Sequence, residues 1–362
     1  MEPYAIYLKP KSSFISWPTS DTIFGALCWA IYHIYGQPEL ENLLKDFNNK
    51  PKFILSSAFP CLQTNNTIVH FFPKPLFLKL KSKDIEGLAK KKNDTLEFKR
   101  KIISIQETIK EIKKVLYISE EIFKAVIKGS LDLKEIYSRL KQRGSIDSDI
   151  EKLGNCLISF GEREKVDPDG ELKTLIREVD VQRNQIDRVT GTTVEGLLFF
   201  SKEFCLPTKY GGLWFLIKTE DFEFIKPLLR YLRDTGIGGE RTVGKGHFEI
   251  NWDENPYKLP EITDANVFIT LSRYFPSQKE INLNLDSARW NLLSLRYKHE
   301  TMYIPKGNFI SNDLLRMFSE GSAFPFKEKK EYYGKIEKIE FSGAKPVYKN
   351  GFAFPVFAKI GG

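Results

Sequence analysis

The chain has 362 residues and 41% hydrophobic content, which allows two domains with their own cores and excludes an unstructured polar chain. Lysine and arginine exceed the acids by a formal net charge of +8, which favours a polyanionic partner such as nucleic acid, although lysine-rich surfaces also arise from genome composition or heat adaptation. Cys28, Cys61, Cys156 and Cys205 lie far apart and read as reduced core residues, and no leader or membrane-length apolar run is evident, so a cytoplasmic protein is expected.

In chain order, residues 4–8 alternate as a short strand. Ser20 or Asp21 offers an N-cap, Ile23, Phe24, Leu27, Ile31 and Ile34 then share one helical face, and Gly36 closes the helix. Residues 53–57, 67–72 and 76–80 read as short strands separated by proline turns. A helical insertion over about 80–152 follows. In its first part basic residues outnumber acidic ones, and Leu96, Ile102, Ile105, Ile109 and Ile112 keep helical spacing, with a second amphipathic helix expected over 131–143. A solvated surface explains that charge more plainly than a specific binding element.

Strand texture returns at 155–160. Residues 177–200 then form a polar-tipped hairpin in which Arg183, Asn184, Asp187 and Arg188 cluster beside the turn Thr190–Gly191. Those side chains suit phosphate and base-edge contacts, and they suit equally a surface hairpin with satisfied salt bridges. Residues 222–233 have helical spacing and 247–252 alternate as a strand, so the stretch between them joins helix to strand. After a proline-containing linker, with a boundary near Asn255, further strands are expected at 266–274, 332–339 and 352–357.

The stretch DTGIGGERTVGKGHF, residues 234–248, carries five glycines, with Arg241 and Lys245 threaded between them. It reproduces most of a phosphate-binding P-loop, but Gly246 stands where a Ser or Thr hydroxyl should reach Mg²⁺, and the order helix, loop, strand is reversed. A dinucleotide fingerprint fails as well, because Arg241 replaces its third glycine. Two readings stay open: a C-cap glycine with a flexible turn, or a bare backbone that lets a polyanion approach, with two cations on its phosphates. Four histidines are present, His33, His70, His247 and His299, and none has metal-ligand spacing. His33, in the last turn of the first helix, could act as a metal-independent base on an RNA 2′-hydroxyl, although a cap or packing role is commoner there. His247 carries a weaker case of the same kind.

Four stretches together, SDTIFGALC (20–28), NQIDRVTG (184–191), the glycine stretch and KPVYKNGFAFPV (345–356), resemble the RAMP superfamily, the RNA-binding proteins of CRISPR systems. Within it they are most similar to the fourth-subunit family of type III-A Csm effector complexes. The resemblance implies an α+β fold of two ferredoxin-like (RRM-like) domains. Residues 1–255 would carry the insertion at about 80–152, a thumb hairpin at about 177–200 and the glycine loop 236–246, and residues 256–362 would form the second domain. It implies no enzyme activity, no cofactor and no metal. Such a subunit caps the foot of the complex, binds the repeat-derived 5′ tag of the guide RNA (crRNA), docks the large polymerase/cyclase-like subunit beside the backbone RAMP subunit, and meets target RNA only through the complex.

By that resemblance Gly236, Gly238, Gly239, Arg241, Thr242, Gly244, Lys245 and Gly246 approach the tag backbone, with Arg241 and Lys245 on phosphates. Arg183, Asn184 and Arg188 ride on the thumb, which displaces a nucleotide at the junction of tag and guide. Ser20 and Asp21 lie near the same RNA end or order the loop beside it. Pro18–Thr19 stand where relatives often carry a histidine, and Trp17 either stacks on a base or packs. The alternative within the superfamily is a metal-independent CRISPR repeat endoribonuclease using His33. The glycine loop falls in the first domain, with residues 247–362 still to come, which favours the subunit. A nucleotide-binding enzyme is set back by Gly246.

Overall fold

The computed structural model describes residues 1–64, 67–78, 88, 95–140, 149–207, 209–280, 287–296, 314–341 and 344–360. Much of the first part of the insertion and the end of its second helix, residues 79–87, 89–94 and 141–148, lie outside these. The fold is mixed α+β.

Strand β1 (Glu2–Pro10) buries residues 5–8 on both faces, as expected of a strand covered above and below. It pairs antiparallel with β10 (Gly211–Thr219) on one side and β11 (Phe248–Trp252) on the other. From β10 the sheet continues through β3 (Phe59–Gln63), β4 (Ile68–Pro73), β5 (Tyr117–Ser119), β7 (Cys156–Ser159) and β6 (Ile150–Leu153), and β2 (Phe53–Leu55) also pairs with β10. Among the described residues this is a nine-stranded sheet, in which β5 and β7 run parallel.

Helices α1 (Ser20–Tyr35) and α7 (Phe222–Thr235) pack together over one face of this sheet. Ile23, Phe24, Leu27 and Ile31 of α1 and Ile225, Leu228, Leu229 and Leu232 of α7 are buried, which is the apolar stripe that a period of 3.6 requires. Tyr4 of β1 stacks on Phe222 at 4.0 Å, so the even positions of β1 face α7. Ile34 departs from its expected burial: it is 41% exposed, in a last turn where Tyr35 stacks on Phe224 instead. Gly36 closes α1 at φ 89°, and α2 (Gln37–Asp46) begins directly after it. Thr19, not Ser20 or Asp21, is the N-cap residue, and its hydroxyl donates to the Asp21 carboxylate at 2.7 Å rather than capping a backbone amide.

The insertion is not helical throughout. Around α3 (Thr95–Lys113), α4 (Glu120–Ile127) and α5 (Leu133–Arg139) it supplies β5 and β6 to the sheet. Strands of three and four residues are too short to show a period. Ile105, Ile109 and Ile112 are buried, as their spacing predicts. The strand expected at 76–80 is replaced by a turn over residues 76–78, with 79–80 outside the described residues. After β7, α6 (Phe160–Val166) returns the chain towards β8 (Arg177–Ile186) and β9 (Thr193–Cys205), which form a two-stranded sheet of their own.

In the second half, β12 (Val267–Thr270) lies between β15 (Ala323–Pro325) and β18 (Pro355–Ala358). Two hairpins accompany it, β13 (Leu292–Leu295) with β14 (Leu315–Phe318), and β16 (Ile336–Phe341) with β17 (Ala344–Asn350). Phe268, Tyr274, Phe324 and Tyr333 form a local core, whereas Phe352, Phe354 and Val356 join the core of the large sheet. The halves are also bolted by polar groups. The Ser20 hydroxyl accepts the Arg273 backbone N–H at 3.1 Å, Ser57 Oγ accepts the Ser20 N–H at 2.9 Å and donates across to the Glu320 carboxylate, and Arg273 donates to both Asp21 carboxylate oxygens at 3.0 and 3.1 Å. Burial opposes the Asp21 charge, but Arg273, Lys349 and the Thr19 hydroxyl outweigh it and hold the carboxyl below its ordinary value.

Asp21→Ala is expected to cost about 3 kcal/mol, because it removes the buried carboxylate that pairs with Arg273 at the joint. Urea titration of the variant checks this; an unchanged midpoint would show that the joint does not depend on the pair.

Candidate nucleic-acid interface

The glycine loop begins where α7 ends. Gly236 takes φ 80° and ψ 173°, a backbone that favours glycine, and donates its N–H to the Leu232 carbonyl. The two ends of the loop then close on each other through Ile237 N–H to the Gly246 carbonyl at 2.9 Å. A Cβ on Gly246 would collide with the Ile237 carbonyl, and one on Gly238 would lie 2.7 Å from Ser16 Oγ. Glycine is therefore needed at both positions for close packing as well as for φ. Between them Glu240 takes φ 55°, Arg241–Val243 form a 3₁₀ turn, and Gly239, Thr242, Val243 and Gly244 are exposed at the crest.

Three segments distant in sequence meet beneath this crest at one carboxylate, Glu203 of β9, which is 1% exposed. It accepts hydrogen bonds from Arg183 of β8 at 2.6 Å, from Lys245 of the loop at 2.7 Å, and from Ser13 Oγ of the segment after β1. Lys245 donates to Ser13 Oγ at 2.7 Å as well, and Arg183 also pairs with Glu240 at 2.7 Å. Burial alone would raise the Glu203 pKa, but the bonds from Arg183, Lys245 and Ser13 outweigh it and hold the carboxyl at about 2. Gly246 N–H to the Ser13 carbonyl, Gly239 N–H to Ser16 Oγ and His247 N–H to Ser12 Oγ complete the fastening of the loop to residues 12–16.

The β8–β9 pair projects as a two-stranded arm, anchored at its base by the Phe14–Phe204 bridge. Asp187 caps its tip by accepting the N–H groups of Val189 and Thr190 at 2.7 and 3.1 Å. Asn184 and Arg188 are exposed along it. So are Leu198, Phe199 and Phe200, at 50%, 48% and 65%, and Val189 at the tip, at 95%.

The sequence-derived residues thus divide. The glycine loop, Lys245 and Arg183 meet at Glu203, and Asn184 and Arg188 lie farther out on the arm. Two of the three N–H donors of Lys245, expected on a phosphate, already serve Ser13 and Glu203, which leaves one. Arg241 is half-buried, its carbonyl 3.3 Å from His247 Nε2. Ser20 and Asp21, at 0% and 2% exposure, offer no surface to a ligand, and their bonds run to Ser57 and Arg273. Trp17 packs among Phe14, Tyr117 and Phe204 and donates to the Ala58 carbonyl at 2.7 Å, which is the packing alternative. His33 stacks between Trp29 and Tyr231, with centroids 5.8 and 5.6 Å away.

Sequence reasoning missed Glu203, Ser13 and Ser16. The available signal was a carboxylate inside the apolar run of β9 and a serine-rich stretch directly after β1. Among the described residues, no group of three or more His, Cys, Asp or Glu could hold a metal ion, and no helix is long and apolar enough to cross a membrane.

A model of the RAMP superfamily matches residues 19–249. The chain is 27% identical over 361 residues to the CRISPR system Cms protein Csm4 of Thermococcus onnurineus (strain NA1), spanning 98% of this chain and 96% of that one. It is 25% identical over 264 residues to the protein of the same description from Methanocaldococcus jannaschii, spanning 68% and 62%. Among solved structures it is similar to a chain of a Csm3-Csm4 subcomplex in the type III-A CRISPR-Cas interference complex, with a TM-score of 0.62 at 19% identity over 99% of this chain and 100% of that one. A chain of a Csm1-Csm4 cassette in complex with pppApA gives 0.55 at 22% identity, over 99% of each. These two are likenesses of fold.

Glu203 titrates to about 2 in the fold, so its contribution to stability is complete above the ordinary carboxylate range of about 4.3 and is lost as pH falls from there towards 2. Glu203→Gln is expected to lower the melting temperature at pH 7 and to flatten the decline over that acid interval; parallel curves for variant and wild type would refute the assignment.

Proposed function

The chain belongs to the RAMP superfamily, and on that premise we propose that it is the Csm4-type subunit of a type III-A Csm complex, a non-catalytic RNA-binding protein that holds the 5′ tag of the guide RNA. The observation that carries the reading is the Glu203 node, which fixes an exposed glycine crest, the arm that bears Arg183 and Arg188, and the segment after β1 beside one another. The bare backbone of the crest at Gly239 and Gly244 lets a sugar-phosphate backbone approach. Arg241 and the remaining donor of Lys245 supply the charge-assisted contacts. The arm, with Arg183 partway along β8 and Arg188 near its tip, is the thumb of this reading. Its exposed Leu198, Phe199 and Phe200 give it an apolar flank for RNA bases or a neighbouring subunit.

The similar structures are named for Csm1-Csm4 and Csm3-Csm4 assemblies, which supports the large subunit and the backbone RAMP subunit as neighbours, with target RNA reached through the complex. Two ferredoxin-like domains, 1–255 and 256–362, are part of the same proposal. The strand order β11-β1-β10-β3, with α1 after β1 and α7 after β10, supports it for the first. For the second, the support is the central β12 between β15 and β18. His33, stacked between two aromatic rings, supports packing better than the general-base role of an endoribonuclease.

Incubation of the full chain with end-labelled CRISPR repeat RNA in EDTA, run on native and denaturing gels, tests the reading. Intact RNA that shifts in a salt-sensitive manner is the expected result. Cleavage abolished by His33→Ala would make the protein the endoribonuclease. Arg241→Ala with Lys245→Ala is expected to weaken binding about tenfold or more and to reduce the slope of log K against log salt by about two; an unchanged slope would remove these residues from the interface.

A further inference from the structure

On the face of the large sheet turned away from α7 lies an open trough of about 950 Å³, lined by none of the residues assigned above. Because Tyr4 faces α7, alternation along β1 points Tyr7 and Lys9 into this trough. Its floor is bare where Gly211 and Gly212 of β10 cross it. A Cβ on Gly211 would lie 2.8 Å from Pro207, and one on Gly212 would lie 3.1 Å from Cys61 Sγ.

Three exposed cations bound the trough from three different elements: Lys9 on β1, Lys165 at the end of α6, and Lys209 before β10. Glu249, opposite Lys9 in the β1–β11 ladder, is the single acid in the lining. Lys165 also has Glu121 3.6 Å away, but an exposed pair at that separation is worth little and yields readily to a phosphate. Tyr210 stands at the rim with Lys209 Nζ 4.7 Å from its ring centroid, and Asn251 lies opposite Tyr7 with its amide exposed. Cations spread over separate elements around an elongated hollow, with one accessible ring and one amide, suit an extended polyanion better than a compact one.

The trough also lies close to the glycine loop along the β1–β11 ladder. Lys11 N–H donates to the His247 carbonyl at 2.8 Å, where the loop passes into β11. Glu249 and Lys9, two residues along each strand, already line the trough, so the step from one to the other is about 7 Å.

We propose that this trough is a second RNA subsite, which takes the single-stranded segment adjoining the one on the glycine loop, with Lys9, Lys165 and Lys209 on its phosphates and Tyr210 stacked on a base. The inference rests on the glycine loop being an RNA site. Fluorescence anisotropy on the full chain with labelled oligouridylates of about 4 and about 12 nucleotides tests it. Wild type is expected to bind the longer RNA more tightly. Lys9→Ala, Lys165→Ala and Lys209→Ala combined is expected to lose about tenfold on the longer RNA, with a salt slope lower by about two to three, and to leave the short one unchanged. Arg241→Ala with Lys245→Ala is expected to weaken both lengths. If the triple variant binds the longer RNA like wild type while the loop variant weakens both lengths, the trough proposal alone is overturned. If wild type binds neither RNA, the reading of the glycine loop falls and the trough with it. A 4-thiouridine crosslink from the longer RNA is expected in the peptide containing Tyr210; crosslinks confined to residues 236–246 would overturn the proposal.

Discussion

A single buried carboxylate organises the candidate interface. Glu203 brings a charge into a site where 1% of its surface reaches solvent, and that is tolerable because two cations and the hydroxyls of Ser13 and Ser201 satisfy it. The consequence is geometric as well as energetic. Arg183, Lys245 and Ser13 belong to the arm, the glycine loop and the segment after β1, and sharing one partner removes their freedom to move independently. The loop itself makes few apolar contacts at its exposed crest, so its shape depends on this node and on its closure through Ile237 and Gly246. Cations in a fixed array accept a polyanion with less ordering cost than cations on a free loop.

A comparable device works at the joint between the two halves. Ser20 and Asp21 stand where the chain turns into α1, and they hold Arg273 at the end of β12. Their burial gives the pair a positional meaning: the helix that covers the large sheet and the second sheet are set relative to each other by the same two residues. The interface and the joint share a logic in which a buried acid collects basic partners from distant segments. In this basic chain acids are the minority charge, which makes each buried one a natural centre.

The elements with strong local patterns were legible in the sequence. Helix α1 with its closing Gly36, α7, the glycine loop and β11 all appear where spacing and glycine placement put them. Strand β10 did not, because its run GGLWFLIKT is apolar without alternation, as a strand covered on both faces must be. The short strands β5 and β6 carried no period at all. At the site, the glycines and cations were recognisable by composition. Glu203 was not, since its partners lie 20, 42 and 190 positions away along the chain and only the fold brings them together. Ser20 and Asp21 were recognised as belonging to a pattern, and whether they face a ligand or the interior could be decided only by the packing of the second half against α1.

The glycines of the loop are not equivalent. Gly236, Gly238 and Gly246 are held by close neighbours and a left-handed backbone, so a side chain at any of them deforms the loop. Gly239 alone has open space around its would-be Cβ and an ordinary φ, and it sits on the exposed crest. It is therefore the one glycine through which evolution or an engineer can add a functional group facing the ligand while the scaffold stays intact. Diversification of what the crest recognises has a ready address there, separate from the positions that keep the loop folded.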